Sequence, residues 1–129
     1  MKNVFTLENL EVYKSSRELS KLAWDVYVGL ELDQKIIIGQ QFVKSTDSVG
    51  ANIAEGYGRY HYLDKIRFYY NSRASLFEAI HLAALLNERG LIDEEKYMVF
   101  INNAEELRIK LNGWIKFNVD NKFQKKINK

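Results

Sequence analysis

A stripe of polar side chains runs through residues 41–59 with the spacing of one face of an α-helix. Its members recur every three or four residues and are Gln41, Ser45, Ser48, Asn52, Glu55 and Arg59. An apolar stripe lies directly beside it and consists of Phe42, Thr46, Val49 and Ile53. An amide, a carboxylate and a guanidinium need hydrogen-bonding partners when a protein buries them. The polar stripe therefore either meets a matching polar face of the same protein or is presented to a ligand.

Another predicted helix, over residues 62–89, offers such a polar face. This segment is apolar nearly all the way round, which indicates a helix in the middle of an assembly. Its polar groups include Ser72, Ser75 and Glu78, which are spaced three residues apart. We therefore predict one structural hydrogen-bonding network, which consists of Asn52, Glu55, Arg59, Ser75 and Glu78.

The candidate catalytic and metal-binding patterns are incomplete. Glu78 and His81 have the Glu-x-x-His spacing of di-iron helical bundles, but such a site needs a second pair and two further carboxylates. The other histidine, His61, has Gly58 three residues before it. The serines form no ordered set of nucleophile, base and orienting acid. We predict no enzyme, no metal and no cofactor, and the alternative is a small-molecule or metal-dependent enzyme of a helical-bundle type.

Residues 57–73 interleave cations with aromatic side chains. The cations are Arg59, Lys65, Arg67 and Arg73, and the aromatic residues are Tyr57, Tyr60, Tyr62, Tyr69 and Tyr70. Aromatic rings stack on bases and cations bind phosphates, so this segment is a candidate nucleic-acid surface. Tyrosine and arginine are also enriched in protein interfaces, so contacts between subunits are the other interpretation.

Charge is distributed unevenly along the chain. The formal net charge is +2, but the last fourteen residues carry +4 and leave −2 on the remainder. The lysines near the end are Lys122, Lys125, Lys126 and Lys129. A lysine-rich end is either simply solvated or in contact with a nucleic acid or an acidic partner. We divide the chain into a bundle domain, residues 1–118, and a lysine-rich C-terminal tail, residues 119–129.

Length and composition predict a single all-α domain. The chain has 129 residues, 47% of them hydrophobic, which is enough for one core without disulfides or metals. It contains no cysteine and no proline, and long helices with short turns are compatible with both absences. No apolar run has the length of a signal peptide core or a membrane span. We expect a cytoplasmic protein without a membrane partner.

Hydrophobic periodicity predicts four helices. They should cover residues 8–30, then a segment that begins after residues 31–35 and ends near residues 56–58, then 62–89, and finally a segment from Asp93 to near Phe117. Gly90 should end the third helix, and Asp93 should cap the fourth. Gly50 inside the second helix indicates a close neighbour. Short turns make successive helices antiparallel, so we predict an up-down-up-down four-helix bundle.

The first predicted helix carries large apolar residues away from its core stripe. The core stripe consists of Val12, Leu19, Leu22, Val26 and Leu30. A second set lies on another face and consists of Tyr13, Trp24, Tyr27 and Val28. Large aromatic residues on a face that the bundle does not bury indicate a contact with another chain. We therefore predict a homo-oligomer with these four residues in the subunit interface.

The segment from residue 41 to residue 78 resembles a known family. The matching positions are Gln41, Ser48, Asn52-Ile53-Ala54-Glu55-Gly56, Gly58-Arg59, Phe68, Ser75 and Glu78. Weaker similarity occurs at residues 10–13, 90–92 and 111–113. This combination is similar to the four-helix-bundle proteins encoded in intervening sequences of bacterial 23S ribosomal RNA genes.

The resemblance implies an up-and-down helical bundle that assembles as a ring-like homopentamer, with no established biochemical activity. A distant relative is the accessory protein of diversity-generating retroelements, which pairs with a reverse transcriptase. We predict that the chain binds further copies of itself. The basic and aromatic residues leave RNA or another single-stranded nucleic acid open as a partner, and the distant relative suggests a nucleic-acid enzyme. We expect a non-catalytic scaffold for one of these partners or for another protein.

Overall fold

The computed structural model describes residues 6–127, with side chains described as far as Asn121. A 3₁₀ turn at Leu7–Asn9 precedes the helices. The helices are α1 (Glu11–Val28), α2 (Leu32–Gln34), α3 (Gln40–Gly58), α4 (Tyr62–Glu88) and α5 (Glu94–Ile127), and a π-helical segment, Lys35–Gly39, joins α2 to α3. The described part of the chain contains no β-strand. The predicted all-α class is confirmed.

Four long helices pack as an antiparallel bundle. Each of α1, α3, α4 and α5 contacts the next in the chain, and α5 packs back against α1 to close the bundle. The connections are short, so consecutive helices run in opposite directions. This arrangement places the α3–α4 turn and the C-terminal half of α5 at one end of the bundle. The α1–α2 and α4–α5 connections lie at the other end.

The core contains the apolar faces that helical periodicity predicts. Phe42 and Phe100 are fully buried, and their ring centroids lie 4.9 Å apart between α3 and α5. The second-helix stripe is also buried without exception at Phe42, Thr46, Val49 and Ile53. Thr46 is tolerated there because its hydroxyl donates to the Phe42 carbonyl oxygen at 2.8 Å, which leaves no unpaired polar group on this side chain.

Two glycines let α3 approach its neighbours closely. A Cβ on Gly50 would lie 2.8 Å from the Ser16 Oγ of α1, so the predicted close neighbour of Gly50 is confirmed. A Cβ on Gly56 would lie 2.6 Å from the Tyr69 ring and 3.1 Å from the Lys65 carbonyl oxygen. Because Tyr69 is buried, its ring has nowhere to move. The separation of α3 from α4 is therefore set by Gly56.

The helix ends agree with the sequence in part. Gly90 has a φ of 68°, which favours glycine, and the Asp93 carboxylate accepts from the Lys96 backbone N–H at 2.7 Å. The first helix begins later than predicted, because Leu7–Asn9 forms a separate 3₁₀ turn. The prediction that the last helix ends near Phe117 is wrong, since α5 continues to Ile127. No helix within residues 6–127 is long and apolar enough to cross a membrane.

Replacing Gly56 with alanine should lower the free energy of unfolding by about 1–3 kcal/mol, because the new methyl group would overlap a buried ring and a backbone carbonyl. Gly113 is the matched control. It lies inside α5 with open space around its Cα, so Gly113→Ala should raise the stability by about 1 kcal/mol. Chemical denaturation of both variants checks this. Equal stability of Gly56→Ala and the parent chain would contradict the close approach.

Candidate functional site

Polar side chains join α3 to α4 along a seam. Gln41 Nε2 donates to Glu78 Oε2 at 2.6 Å, and the hydroxyls of Ser48 and Ser75 lie 2.9 Å apart. The buried Ser72 hydroxyl donates to the Val49 carbonyl oxygen at 2.7 Å. Part of the predicted polar stripe, which lies on α3, therefore forms hydrogen bonds with the polar face of α4. Gln41 and Ser48 complete the seam, although the predicted network did not include them.

The five residues predicted as one network lie in separate groups within the chain. Asn52 reaches Ser75 only through Ser48, whose carbonyl and hydroxyl oxygens accept from Asn52 Nδ2 at 2.8 and 3.0 Å. Glu55 and Arg59 form their own ion pair at 2.8 Å. The side chains of this pair are about half-exposed, so a single chain does not bury them. The two charged residues are therefore available to another molecule.

Two of the four cations in residues 57–73 make contacts that stabilise the fold. The half-buried Lys65 Nζ donates to the carbonyl oxygens of Gly56 and Tyr57 at 3.2 and 2.9 Å, which satisfies the last turn of α3. Burial lowers the pKa of this lysine. Arg73 Nη1 donates to Asn112 Oδ1 at 3.1 Å and so ties α4 to α5. Both side chains are thus engaged in contacts between helices, and the sequence did not predict these roles.

The other two cations share one aromatic ring. The guanidinium carbons of Arg59 and Arg67 lie 4.8 and 5.6 Å from the centroid of Phe68. Arg67 also pairs with Asp64 at 3.4 Å, and its side chain is largely exposed. Between them in sequence, Tyr60 projects from the α3–α4 turn with 89% of its surface exposed. This end of the bundle therefore presents an uncovered aromatic ring next to positioned guanidinium groups.

The basic C-terminal segment lies at the same end. Trp114 of α5 packs against Tyr69 of α4, with 5.9 Å between ring centroids. From that level α4 runs back to Tyr62, whereas α5 runs on to Ile127, so α5 extends roughly six residues, or about 9 Å, past the start of α4. The backbone of Lys122, Lys125 and Lys126 lies on this extension. Lys129 is outside the described residues.

The predicted subunit interface is only partly exposed. Trp24 and Val28 are about half-exposed, and Trp24 stacks on Tyr27 with 5.2 Å between centroids. Tyr27 is less exposed because it lies against Gly39, where it would contact an added Cβ at 3.0 Å. Tyr13 is also partly buried, and its hydroxyl accepts from Arg17 at 2.9 Å in the groove between α1 and α3.

An apolar corner patch includes two of these residues and three that the sequence prediction did not name. The patch consists of Trp24, Val28, Leu32, Ile36 and Ile37. Ile36 and Ile37 are 61% and 74% exposed, although Ile38 next to them is buried. The sequence contained a signal for this, because three consecutive isoleucines on a helix point in directions about 100° apart and cannot all face one core.

A second apolar surface lies on α4. It consists of Leu63, Tyr70 and Phe77, all substantially exposed and spaced seven residues apart. Seven residues are nearly two helical turns, so these side chains form one row along the helix. We call this surface the α4 row. The apolar residues of α4 therefore lie on two faces, one in the bundle core and one exposed.

His81 and His61 are exposed, and no group of three His, Asp or Glu side chains in the described part of the chain is arranged to hold a metal ion. Glu78 is instead hydrogen-bonded to Gln41.

Comparison with known proteins agrees with this fold. The family model of the 23S rRNA-intervening sequence protein matches residues 8–113. The chain belongs to this family. A solved structure, described as a protein with unknown function from the S23 ribosomal protein family of Bacteroides thetaiotaomicron VPI-5482, is similar to the chain with a TM-score of 0.77 and 26% sequence identity. The similarity covers 86% of this chain and 99% of that one. No curated protein matches.

If no other molecule covers the Glu55–Arg59 pair, Glu55→Ala should change the free energy of unfolding by less than about 1 kcal/mol, as expected for an exposed ion pair. Glu105 is the matched control, because it is also 52% exposed and also pairs with an arginine on its own helix. Denaturation of Glu55→Ala and Glu105→Ala measures the difference. A much larger loss for Glu55→Ala would show that another chain buries this pair.

Proposed function

We propose that this protein is a non-catalytic scaffold, a homo-oligomeric ring of helical bundles that binds nucleic acid at the end formed by the α3–α4 turn and the α5 extension. The observation that carries self-association is the amount of large apolar side chain left in water. Monomeric proteins rarely expose contiguous apolar patches of this kind unless a partner covers them. The corner patch and the α4 row each expose several large apolar side chains.

Two different surfaces are what a closed ring requires. In a ring, each subunit uses one surface to contact the next subunit and another to contact the previous one. The corner patch begins on α1 and continues through α2 and the π-helical segment, whereas the α4 row lies on another helix. A ring in which the corner patch of one copy covers the α4 row of its neighbour accounts for both. The family resemblance suggests five subunits.

A catalytic role has less support. The polar groups that the sequence singled out are engaged in joining α3 to α4, capping α3 or pairing at the surface. None of these contacts places a nucleophile beside a base that a third group orients. The structural relative is itself described as a protein of unknown function, so it suggests no reaction.

Charge and position favour nucleic acid as the partner. The exposed guanidinium groups of Arg59 and Arg67 and the basic extension of α5 lie at the same end of the bundle. One such cluster would bind a strand weakly at physiological salt, because its attraction depends on released counterions. A ring repeats the cluster in each subunit. Simultaneous binding by several subunits then raises the affinity through effective concentration.

Assembly can be tested by complementation. Ile36→Glu places a charge in the corner patch and Phe77→Glu places one in the α4 row, so each variant should be a monomer in multi-angle light scattering at micromolar concentration. An equimolar mixture should give dimers, because one variant keeps an intact corner patch and the other an intact α4 row. Ile109 is the control residue. It is an isoleucine on α5 with the same 61% exposure as Ile36, and Ile109→Glu should leave the ring intact.

A monomeric parent chain would refute the ring. Dissociation by Ile109→Glu as readily as by Ile36→Glu would show that these two patches are not the contact.

Nucleic-acid binding should depend on the C-terminal lysines and on salt. Replacing Lys122, Lys125, Lys126 and Lys129 with glutamine should weaken binding to single-stranded RNA. It should also reduce the slope of log affinity against log salt, by about 0.7 for each phosphate that the variant no longer neutralises. Fluorescence anisotropy at two salt concentrations measures both effects. A chain truncated after Asn118 should behave like the glutamine variant. Binding that neither change alters would contradict this role and favour a protein partner.

A further inference from the structure

The exposure of Tyr60 has no explanation within the described part of the chain. A tyrosine ring carries a large apolar surface that a protein normally buries at least in part, yet 89% of this residue is exposed. The ring makes an edge contact with His61, with centroids 5.2 Å apart and planes 88° from each other. That contact limits the orientation of the tyrosine ring and leaves most of its surface in water. A face of an aromatic ring is the surface on which a flat partner stacks.

The backbone around Tyr60 holds the ring away from the bundle. Arg59, which follows α3, and His61, which precedes α4, both have extended backbone angles. Lys65 ties the end of α3 to α4 through two carbonyl oxygens. The two helix ends that flank the short turn are therefore held together, and Tyr60 projects from between them. A ring whose backbone is held in this way loses less conformational entropy when a ligand stacks on it than a ring on an untethered loop.

The guanidinium groups next to the turn are also positioned before any ligand binds. Arg59 and Arg67 both lie over the Phe68 ring, and their side chains are 43% and 64% exposed. Each pairs with a nearby carboxylate, Glu55 or Asp64. Exposed ion pairs of this kind contribute little to stability, so a phosphate group can replace the carboxylate at small cost. The guanidinium groups of Arg59 and Arg67 are therefore candidate contacts for the phosphates of a strand at this end of the bundle.

We infer that the α3–α4 turn is a stacking site for one unpaired base of a single-stranded nucleic acid, with Tyr60 as the stacking residue and Arg59 and Arg67 as the phosphate contacts. The inference rests on the proposed nucleic-acid binding and adds the class of strand. In a duplex, the faces of the bases are covered by their neighbours, so an exposed tyrosine finds nothing to stack on. In a single strand, every base offers a face, which makes the site tolerant of sequence.

The test combines changes in the protein with changes in the ligand. The full chain and its Tyr60→Ala, Tyr60→Leu and Tyr60→Phe variants are titrated against three RNAs of equal length in fluorescence anisotropy: a single strand, a duplex, and a strand in which every nucleotide is abasic. Tyr60→Ala and Tyr60→Leu should bind the single strand about 5- to 100-fold more weakly than the parent chain. Tyr60→Phe should bind as the parent does, because the ring is kept. All four proteins should bind the duplex and the abasic strand equally.

The outcomes separate this inference from the proposed function. Salt-dependent binding that is the same in Tyr60→Ala and the parent chain would overturn the stacking site and leave nucleic-acid binding in place. No binding by the parent chain at low salt would overturn both. Light scattering measures the oligomeric mass of Tyr60→Ala. A change in its oligomeric mass would show that Tyr60 is a subunit contact, and would also overturn the inference.

Discussion

The close packing of α3 against α4 is the constraint on which the rest of this structure depends. Gly56 allows the two helices to approach until the buried Tyr69 ring and the Lys65 carbonyl oxygen leave no room for a methyl group. At this distance the Ser72 hydroxyl reaches a backbone carbonyl oxygen, and Ser48 reaches Ser75. Buried polar groups are tolerated along this seam because each of these is paired. The same approach fixes the α3–α4 turn, and with it the positions of the aromatic and basic side chains at that end of the bundle.

This packing also divides the polar residues of the chain into two kinds. Those on the α3–α4 seam are hydrogen-bonded to each other or, for Ser72, to a backbone carbonyl oxygen, so they hold the two helices together. Lys65 and Arg73 belong with them, because each donates to an acceptor on another element. Glu55, Arg59 and Arg67 form ion pairs with residues close by in the sequence, and they keep much of their surface in water. The charges available to a partner are therefore the ones that the fold does not need.

Large apolar side chains also remain exposed on the surface of the bundle. α4 buries one apolar face in the core and leaves Leu63, Tyr70 and Phe77 exposed. The residues of the corner patch are also exposed, near the α1–α2 end of the bundle. Large apolar side chains in water carry a free-energy penalty that association with another surface removes. Two such surfaces on different helices are what repeated assembly needs. Assembly would in turn bring together basic ends that are individually weak.

The sequence by itself determined the all-α class, the antiparallel order of the helices and the buried stripe of α3, because helical periodicity and turn residues are local properties of the chain. It also indicated the close contact at Gly50 and the cap at Asp93. Only the tertiary structure decided which polar residues pair: Glu78 bonds to Gln41, and Glu55 and Arg59 remain at the surface. Helical spacing assigns a residue to a face, but the azimuth and distance of the neighbouring helix decide what that face meets. For the same reason, Lys65 and Arg73 resembled binding residues in the sequence and became structural ones in the fold.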